Sequence, residues 1–207
     1  FLKDKNNIQL IHFPGSAKQL SAYEHFRTNF MNKHTWVAII DCDEFIVLKD
    51  WIPITKFLEK YCPSGSLSLN WRLFGDSGRS NYSSEPVVDR FTMCEEKANV
   101  HVKTISKCSD VASFNVHQSN LKVGKQKDTL GNFLGNSPFN YNLTLDKAYL
   151  NHYFGKSREE WQLKKARGRS DGGETRNDSD FDRHNFNQVE DLSAKNFYHD
   201  SNLVFNV

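Results

Sequence analysis

Three carboxylates lie within four positions of one another in this sequence, at Asp41, Asp43 and Glu44. The five residues before them, 36–40, read Trp-Val-Ala-Ile-Ile and carry no charge, which is typical of a buried parallel strand. Ligands of open α/β sheets bind at the carboxyl ends of such strands. Because side chains at positions i and i+2 of an extended segment point the same way, we predict that Asp41 and Asp43 share one divalent cation. A cation held by one or two carboxylates commonly takes its remaining ligands from substrate phosphates.

The Asp-x-Asp spacing is not specific on its own. The chain has 15 aspartates in 207 residues, and the same spacing recurs at Asp178 and Asp180 in polar sequence with no strand before it. The apolar run before Asp41 is what favours a metal site. The alternative is that these acidic residues end a strand and cap the next helix.

The loop that follows a second predicted strand, at residues 67–73, combines aromatic, glycine and polar side chains. Flat aromatic faces beside hydroxyl and carboxylate groups suit a sugar ring. The predicted substrate-binding residues here are Trp71, Phe74, Gly75, Ser77 and Gly78. Asp76 is our candidate for a general base, with Glu44 and Asp110 as rivals. The alternative is an ordinary turn that buries Trp71 and Phe74 in the core.

Two histidines and a lysine extend the candidate site. His152 lies at the end of a predicted strand, 149–154, and is our candidate for a third metal ligand, because imidazole suits metals such as manganese. Lys156 follows, before a predicted helix at 157–167 with the Ser-x-x-Glu pattern of a capping box. A lysine beside a helix N-terminus favours a phosphate. His117, after an apolar strand, is a weaker candidate for substrate binding, and an isolated histidine is more often structural.

A nucleoside diphosphate would connect these features. A metal bridging two phosphates neutralises the charge that builds on the leaving group, and a lysine adds a further donor. The residues therefore favour transfer of a sugar from a nucleotide sugar.

Composition indicates one α/β domain over residues 1–207. Predicted strands alternate with helices, which favours a mixed, mostly parallel sheet flanked by helices. Residues 119–140 and 168–185 are polar and are predicted to be loops. A net charge of +2 gives no field that would favour nucleic acid, and no run of 18 apolar residues could span a membrane. The four cysteines are too widely spaced for a zinc site.

Three blocks of sequence together resemble a known family. They read W-V-A-I-I-D-C-D-E-F-I-V, N-W-R-L-F-G-D-S-G and L-N-H-Y-F-G-K-S-R-E-E-W, in this order along the chain. The chain resembles the family-2-like glycosyltransferases with a GT-A fold, in the group close to glycosyltransferase family 92 that occurs in bacteria, algae and large algal viruses.

The resemblance implies a Rossmann-like GT-A domain that uses Mn²⁺ or Mg²⁺ and inverts the transferred sugar. It implies that Asp41 and Asp43 form the metal motif and that 71–78 and 152–156 line the cleft. It implies a nucleoside-diphosphate sugar donor and a carbohydrate or glycoprotein acceptor. A cytoplasmic location is expected, in the host cytoplasm if the chain is viral, with the Golgi lumen as an alternative. Members begin with strands that bind the nucleotide base, and none precedes Phe1, so we expect those strands to be missing here.

Two other functions are compatible with part of the pattern. Phosphatases of the haloacid-dehalogenase type also place Asp-x-Asp after an apolar strand, but they expect Thr or Val at the position of Phe45. A binding module for nucleotide sugars or carbohydrates could keep the fold without turnover. Binding that requires a metal and is followed by release of nucleoside diphosphate distinguishes a transferase from both.

Overall fold

The structure is a computed structural model that describes residues 8–50, 52–172 and 175–204, with the side chains of 201–204 excepted. Its helices are α1 (Gln19–Asn29), α2 (Ile54–Tyr61), α3 (Val87–Arg90), α4 (Arg158–Arg167), α5 (Asp178–His184) and α6 (Ser193–Val204). Its strands are β1 (Trp36–Ala38), β2 (Glu44–Leu48), β3 (Ser66–Leu73), β4 (Met93–Cys94), β5 (Val102–Lys107), β6 (Val111–Phe114), β7 (Ser119–Leu121), β8 (Gln126–Lys127), β9 (Ala148–His152) and β10 (Val189–Glu190). The sequence predicts a helix over residues 51–61. Its first residue, Trp51, lies outside the described residues.

A mixed sheet organises the molecule, and the prediction of a mostly parallel sheet is wrong. The strand order is β1-β5-β3-β9-β2, with β8 also paired to β3. Three of these five pairings are antiparallel, and only those of β3 with β9 and β8 are parallel. Residues 39–43, which connect β1 to β2, are too few for the crossover that parallel neighbours require. The two strands instead occupy opposite edges of the sheet.

The strand before the carboxylates is shorter and less buried than its apolar sequence predicts. β1 ends at Ala38, and the side chain of Ile40 is 41% exposed. An edge strand with one pairing partner does not need the continuous burial of a central one. The carboxylates therefore lie in a connection between strands rather than directly at the end of a buried strand.

β3 is the central strand, and its predicted extent is confirmed. Its first half pairs with β5 and its last three residues pair with β9, so the sheet changes partners along this one strand. The main core packs around β3 and joins it to α2 and β9; its buried members include Phe57, Leu58, Leu67, Leu69, Trp71, Leu73 and Leu150. A second cluster holds the loop after β3 and consists of Phe74, Val88, Phe91, Cys94 and Tyr153.

α4 forms as predicted, with its capping box in place. The Ser157 side chain accepts a hydrogen bond from the Glu160 backbone, and the Glu160 side chain accepts one from the Ser157 backbone. Trp161 fixes the helix to the body because its side chain is fully buried. The predicted loop at 168–185 contains α5, and that at 119–140 contains β7 and β8. No helix of the described residues is long and apolar enough to cross a membrane.

Candidate functional site

Pairing of β2 with β9 brings three of the predicted site residues together. Glu44 is opposite His152 in the register, and the Tyr153 backbone N–H donates to the Asp43 carbonyl at 2.9 Å. The His152 Nε2 atom lies 3.9 Å from Asp43 Oδ1, and its Nδ1 atom lies 4.0 Å from Glu44 Oε1. Residues more than 100 positions apart therefore meet at the end of one strand pair.

Asp41 is oriented differently from Asp43, contrary to the i, i+2 expectation. Residues 41–44 form a turn in which the Asp41 backbone N–H donates to Glu44 Oε2 at 2.8 Å. The Glu44 N–H in turn donates to the Asp41 carbonyl at 3.0 Å. The rule that alternate residues point the same way holds for extended backbone, and this segment is not extended.

Lys103 on β5 neutralises Asp41 from inside the sheet. Its ammonium lies 3.2 Å from Asp41 Oδ2 and 3.5 Å from Glu44 Oε2, and it donates to the Val116 carbonyl at 3.0 Å. Its side chain is only 1% exposed, and a lysine is seldom buried this deeply unless it is paired. Its strand was predicted, but no local sequence signal marked Lys103 as a site residue.

Lys164 on α4 neutralises Asp43 from the other side. Its ammonium donates to Asp43 Oδ2 at 2.8 Å and to the Phe154 carbonyl at 2.7 Å. It also lies 4.2 Å from the centre of the Phe154 ring. The strongly basic composition of α4 was the available signal, but composition does not tell which of its lysines faces the site.

Burial and these lysines set the charges of the site. Burial raises the pKa of Glu44 to about 7, although Lys103 opposes the shift. Burial is the largest influence on the pKa of Asp43 and acts to raise it, but Lys164, His152 and Lys156 together outweigh burial and hold that pKa below its usual value. Burial lowers the pKa of His152 to about 3, so its imidazole is neutral at neutral pH and can act as a ligand.

Two buried atoms next to Asp43 have no hydrogen-bond partner, Glu44 Oε1 and His152 Nδ1, and Nε1 of the nearby Trp71 also has none. Such atoms are rare in folded proteins, and each calls for an explanation. Their position beside Asp43 makes a functional explanation the natural one.

The donor set suits a divalent cation by its chemistry and in part by its geometry. Asp43 Oδ1 and His152 Nε2 face each other across 3.9 Å with no hydrogen bond between them. Carboxylate and imidazole together are suitable ligands for manganese. Asp41 is directed at Lys103 instead, and among the described residues no group of three His, Cys, Asp or Glu side chains gathers as a metal site.

Trp71 forms the aromatic wall of this site. Its ring contacts His152 at 4.4 Å, His101 at 5.0 Å and His117 at 5.3 Å between centroids. Burial lowers the pKa of His117 to about 4, with Lys103 as the second cause. The structure thus places Trp71 beside His152 and His117 beside Trp71, and it adds His101, which no sequence pattern indicated. The Trp71 side chain is buried in the main core, as the alternative of an ordinary turn supposed.

Phe74 and the loop after it belong to the second hydrophobic cluster and not to the aromatic wall. The Phe74 side chain is buried against Tyr153 at a centroid distance of 4.7 Å, as the alternative of a core aromatic supposed. The loop is held by side chains: Asp76 accepts from Asn185 Nδ2 at 3.0 Å and from Asn187 Nδ2 at 3.2 Å. Asp76 is thus fixed rather than free, and its role as a base stays a prediction.

The neighbours of Asp76 pack tightly against other segments. Ser77 Oγ accepts the backbone N–H groups of Thr92 and Met93, both at 3.0 Å. A Cβ at Gly75 would collide with the Phe186 carbonyl, whereas Gly78 lies in open space with a φ of +73°. The remaining rival base, Asp110, accepts from the Gly65 N–H at 2.7 Å, near the start of β3 and so at the end opposite to His152.

Lys156 lies in the turn between β9 and α4, four residues after His152. Its backbone has a φ of +56°, a conformation that costs free energy for a residue with a Cβ and that concentrates at functional sites. Its charge helps to lower the pKa of Asp43. The N-terminus of α4 itself is already occupied by Glu160, so a phosphate here would meet the Lys156 side chain rather than an uncapped helix.

A large apolar cavity of about 1030 Å³ lies elsewhere, along β2 and between α3 and α6. Its lining includes Phe45, Val47, Val87 and Phe197 but neither Asp43 nor His152. We place the candidate site by its convergent charged groups rather than by cavity size.

The sequence matches the model of glycosyltransferase family 92 over residues 15–187. Because this match covers most of the chain, the chain belongs to glycosyltransferase family 92, and its role is in glycosyl transfer. The resemblance drawn from the three sequence blocks is thereby confirmed, and all of the residues described above in the site lie within the matched range. A comparison with curated proteins gives no match.

Proposed function

We propose that this domain transfers a sugar from a nucleoside-diphosphate sugar to an acceptor hydroxyl. The observation that carries the proposal is the convergence of Asp43, His152, Lys156 and Lys164 at the junction of β2, β9 and α4. Carboxylate and imidazole ligands for a cation lie here beside two ammonium groups that suit a phosphate. A diphosphate with its cation carries both kinds of charge, so one ligand would satisfy both sets of groups.

The lysines are the groups that oppose charge on the leaving diphosphate. Cleavage of the bond from sugar to phosphate leaves negative charge on the phosphate oxygens, and fixed cations close by stabilise it. Lys156 is held by its turn, and Lys164 by a helix that is capped and anchored through Trp161. Both are therefore positioned before the donor arrives.

Mn²⁺ or Mg²⁺ belongs to this proposal, with Asp43 and His152 as its ligands and Asp41 close by. When bound, the cation would act as a Lewis acid on the diphosphate. The neutral state of His152 is what such a ligand requires, and burial maintains it.

The aromatic wall is our candidate surface for the sugar. Trp71 is itself buried in the core, so the faces that a sugar could contact are the partly exposed His101 and His117 rings that pack on it. Inverting transfer also needs a base for the acceptor hydroxyl. Asp76 remains our candidate, since it lies on a partly exposed loop, whereas Glu44 is enclosed beneath Lys103.

The proposal is tested by incubating the protein with a panel of nucleotide sugars and Mn²⁺ and measuring release of nucleoside diphosphate. We expect release from at least one donor, and faster release when a carbohydrate acceptor is added. Metal-dependent binding without any release would support the binding module instead. Release of phosphate from a phosphomonoester, with no release from nucleotide sugars, would support the phosphatase.

A further inference from the structure

Lys164 is paired with one oxygen of the Asp43 carboxylate, the group that a cation would use. Its ammonium is 2.8 Å from Asp43 Oδ2, while Oδ1 of the same carboxylate faces His152 at 3.9 Å. A divalent ion at this carboxylate and an ammonium on its other oxygen would repel each other at close range. Binding of the ion therefore favours movement of Lys164 away from Asp43.

The surroundings of Lys164 allow its side chain to move while its helix stays in place. The α4 backbone is fixed by the capping box, by buried Trp161 and by Arg90, which donates to Glu160 at 2.7 and 3.1 Å. The lysine head is carried on a flexible four-carbon stem, so it can shift without the backbone. Only the ammonium contacts, to Asp43 and to the carbonyl and ring of Phe154, have to change.

Positive charge exceeds negative charge on this side of the site. Lys156 acts electrostatically on Asp43 and on Lys164, and Arg176 acts on Lys164. Burial lowers the pKa of Lys164 further. An ammonium that is partly desolvated gains from a second anionic partner, and a diphosphate would supply one.

We propose that Lys164 exchanges partners when the donor binds: its ammonium holds Asp43 in the free protein and moves to a phosphate oxygen of the donor. Asp43 Oδ2 is thereby left to the cation. This inference rests on the proposed function, because it assumes that the ligand of the site is a diphosphate.

The test uses Mn²⁺ alone and inorganic pyrophosphate alone as probes, with calorimetry of the whole chain. Removing the ammonium in Lys164→Met frees Asp43, so we expect Mn²⁺ to bind about tenfold more tightly without any donor. The same variant should bind pyrophosphate in EDTA about tenfold more weakly, because a charged hydrogen-bond donor is lost. The matched control is Lys165→Met, whose ammonium pairs with Asp178 at 2.9 Å on the surface, and both affinities should stay at the wild-type values.

A second variant tests the exchange from the other partner. Asp43→Asn releases Lys164, so pyrophosphate in EDTA should bind more tightly than to the wild type. The exchange would be overturned if Lys164→Met bound Mn²⁺ no more tightly than the wild type. It would also be overturned if Asp43→Asn bound pyrophosphate no more tightly than the wild type. If Lys164→Met fails to fold, as judged by near-ultraviolet circular dichroism, the Asp43→Asn result decides alone.

The outcomes separate this inference from the proposed function. A protein that shows the predicted dependence on Lys164 but releases nucleoside diphosphate from no donor contradicts transfer and leaves the exchange standing. A protein that turns over a nucleotide sugar without that dependence contradicts the exchange alone.

Discussion

At the scale of single residues, the two oxygens of Asp43 have different surroundings. One faces the neutral imidazole of His152, and the other accepts the Lys164 ammonium. Asp41 differs, since its carboxylate lies 3.2 Å from Lys103 and its backbone is held in a turn. The two aspartates of the motif therefore have separate counter-ions, and Asp43 is the one that we propose as a ligand contact.

Sequence patterns selected Asp43, Glu44 and His152 as candidates from predicted strand ends, and the structure places these three residues together. It did not identify Lys103 or Lys164, since their positions depend on which strands and helices meet in three dimensions. It also misjudged the direction of Asp41, because a turn of four residues cannot be distinguished from a strand end by composition.

The partly buried histidine His117 gives a pH prediction. Burial, Lys103 and His101 lower its folded pKa to about 4, against the opposing effects of the Val102 carbonyl and Asp41, and this pKa lies below the unfolded value of 6.5. The unfolded chain therefore binds the proton first, and the free energy of unfolding falls as the pH drops from 6.5 towards 4. In His117→Asn we expect a smaller fall between pH 7.5 and 5.0, measured by urea unfolding at each pH. The exposed control His199→Asn should reproduce the wild-type fall more closely, and an equal fall in all three proteins would contradict the assignment.

At the scale of elements, the turn from β9 into α4 carries much of the site. It connects His152, Lys156 and the helix that holds Lys164 within 13 residues. Its geometry depends on Gly155, where a Cβ would lie 2.8 Å from the Phe181 ring. The capping box then fixes the first turn of α4, so the helix points Lys164 back at Asp43.

The cap can be tested by Ser157→Ala. Loss of the side-chain acceptor leaves the Glu160 backbone N–H without its partner, and caps of this kind are worth about 1 kcal/mol. We expect a lower free energy of unfolding by about 1–2 kcal/mol in urea titrations, because the cap is also buried. Ser84→Ala, in an exposed loop, should change it by less than about 0.5 kcal/mol. Equal stability of both variants would show that the cap contributes nothing.

Elements with strong local signals were predictable, and their pairing was not. The capping box marked α4, and apolar residues marked β3 and β9. The polar residues Ser68 and Asn70 of β3 are buried, and they accept hydrogen bonds from the side chains of Gln126 and Asn140. The antiparallel pairings of β1, β2 and β5 depend on distant partners, and no local pattern records them.

At the scale of the whole molecule, the site lies where two halves of the sheet meet. β3 pairs with β5 along its first half and with β9 along its last three residues. The connection from β1 to β2 brings Asp41 and Asp43 to the same region. Lys103 comes from the β5 side and Lys164 from the β9 side. Membership of glycosyltransferase family 92 and this convergence of charged groups support the same proposal, that the domain uses a charged sugar donor.

The most direct measurement compares donor affinity between the wild type and Asp43→Asn. It is made by calorimetry in the presence of Mn²⁺, with the donor that the panel of nucleotide sugars identifies. The amide loses the charge that both the cation and Lys164 require, so we predict at least about tenfold weaker binding with an unchanged near-ultraviolet spectrum. Asp182→Asn, whose carboxylate pairs with Arg158 on the surface, is the matched control and should bind like the wild type. Wild-type affinity in Asp43→Asn would contradict the proposal that Asp43 holds the cation of the donor.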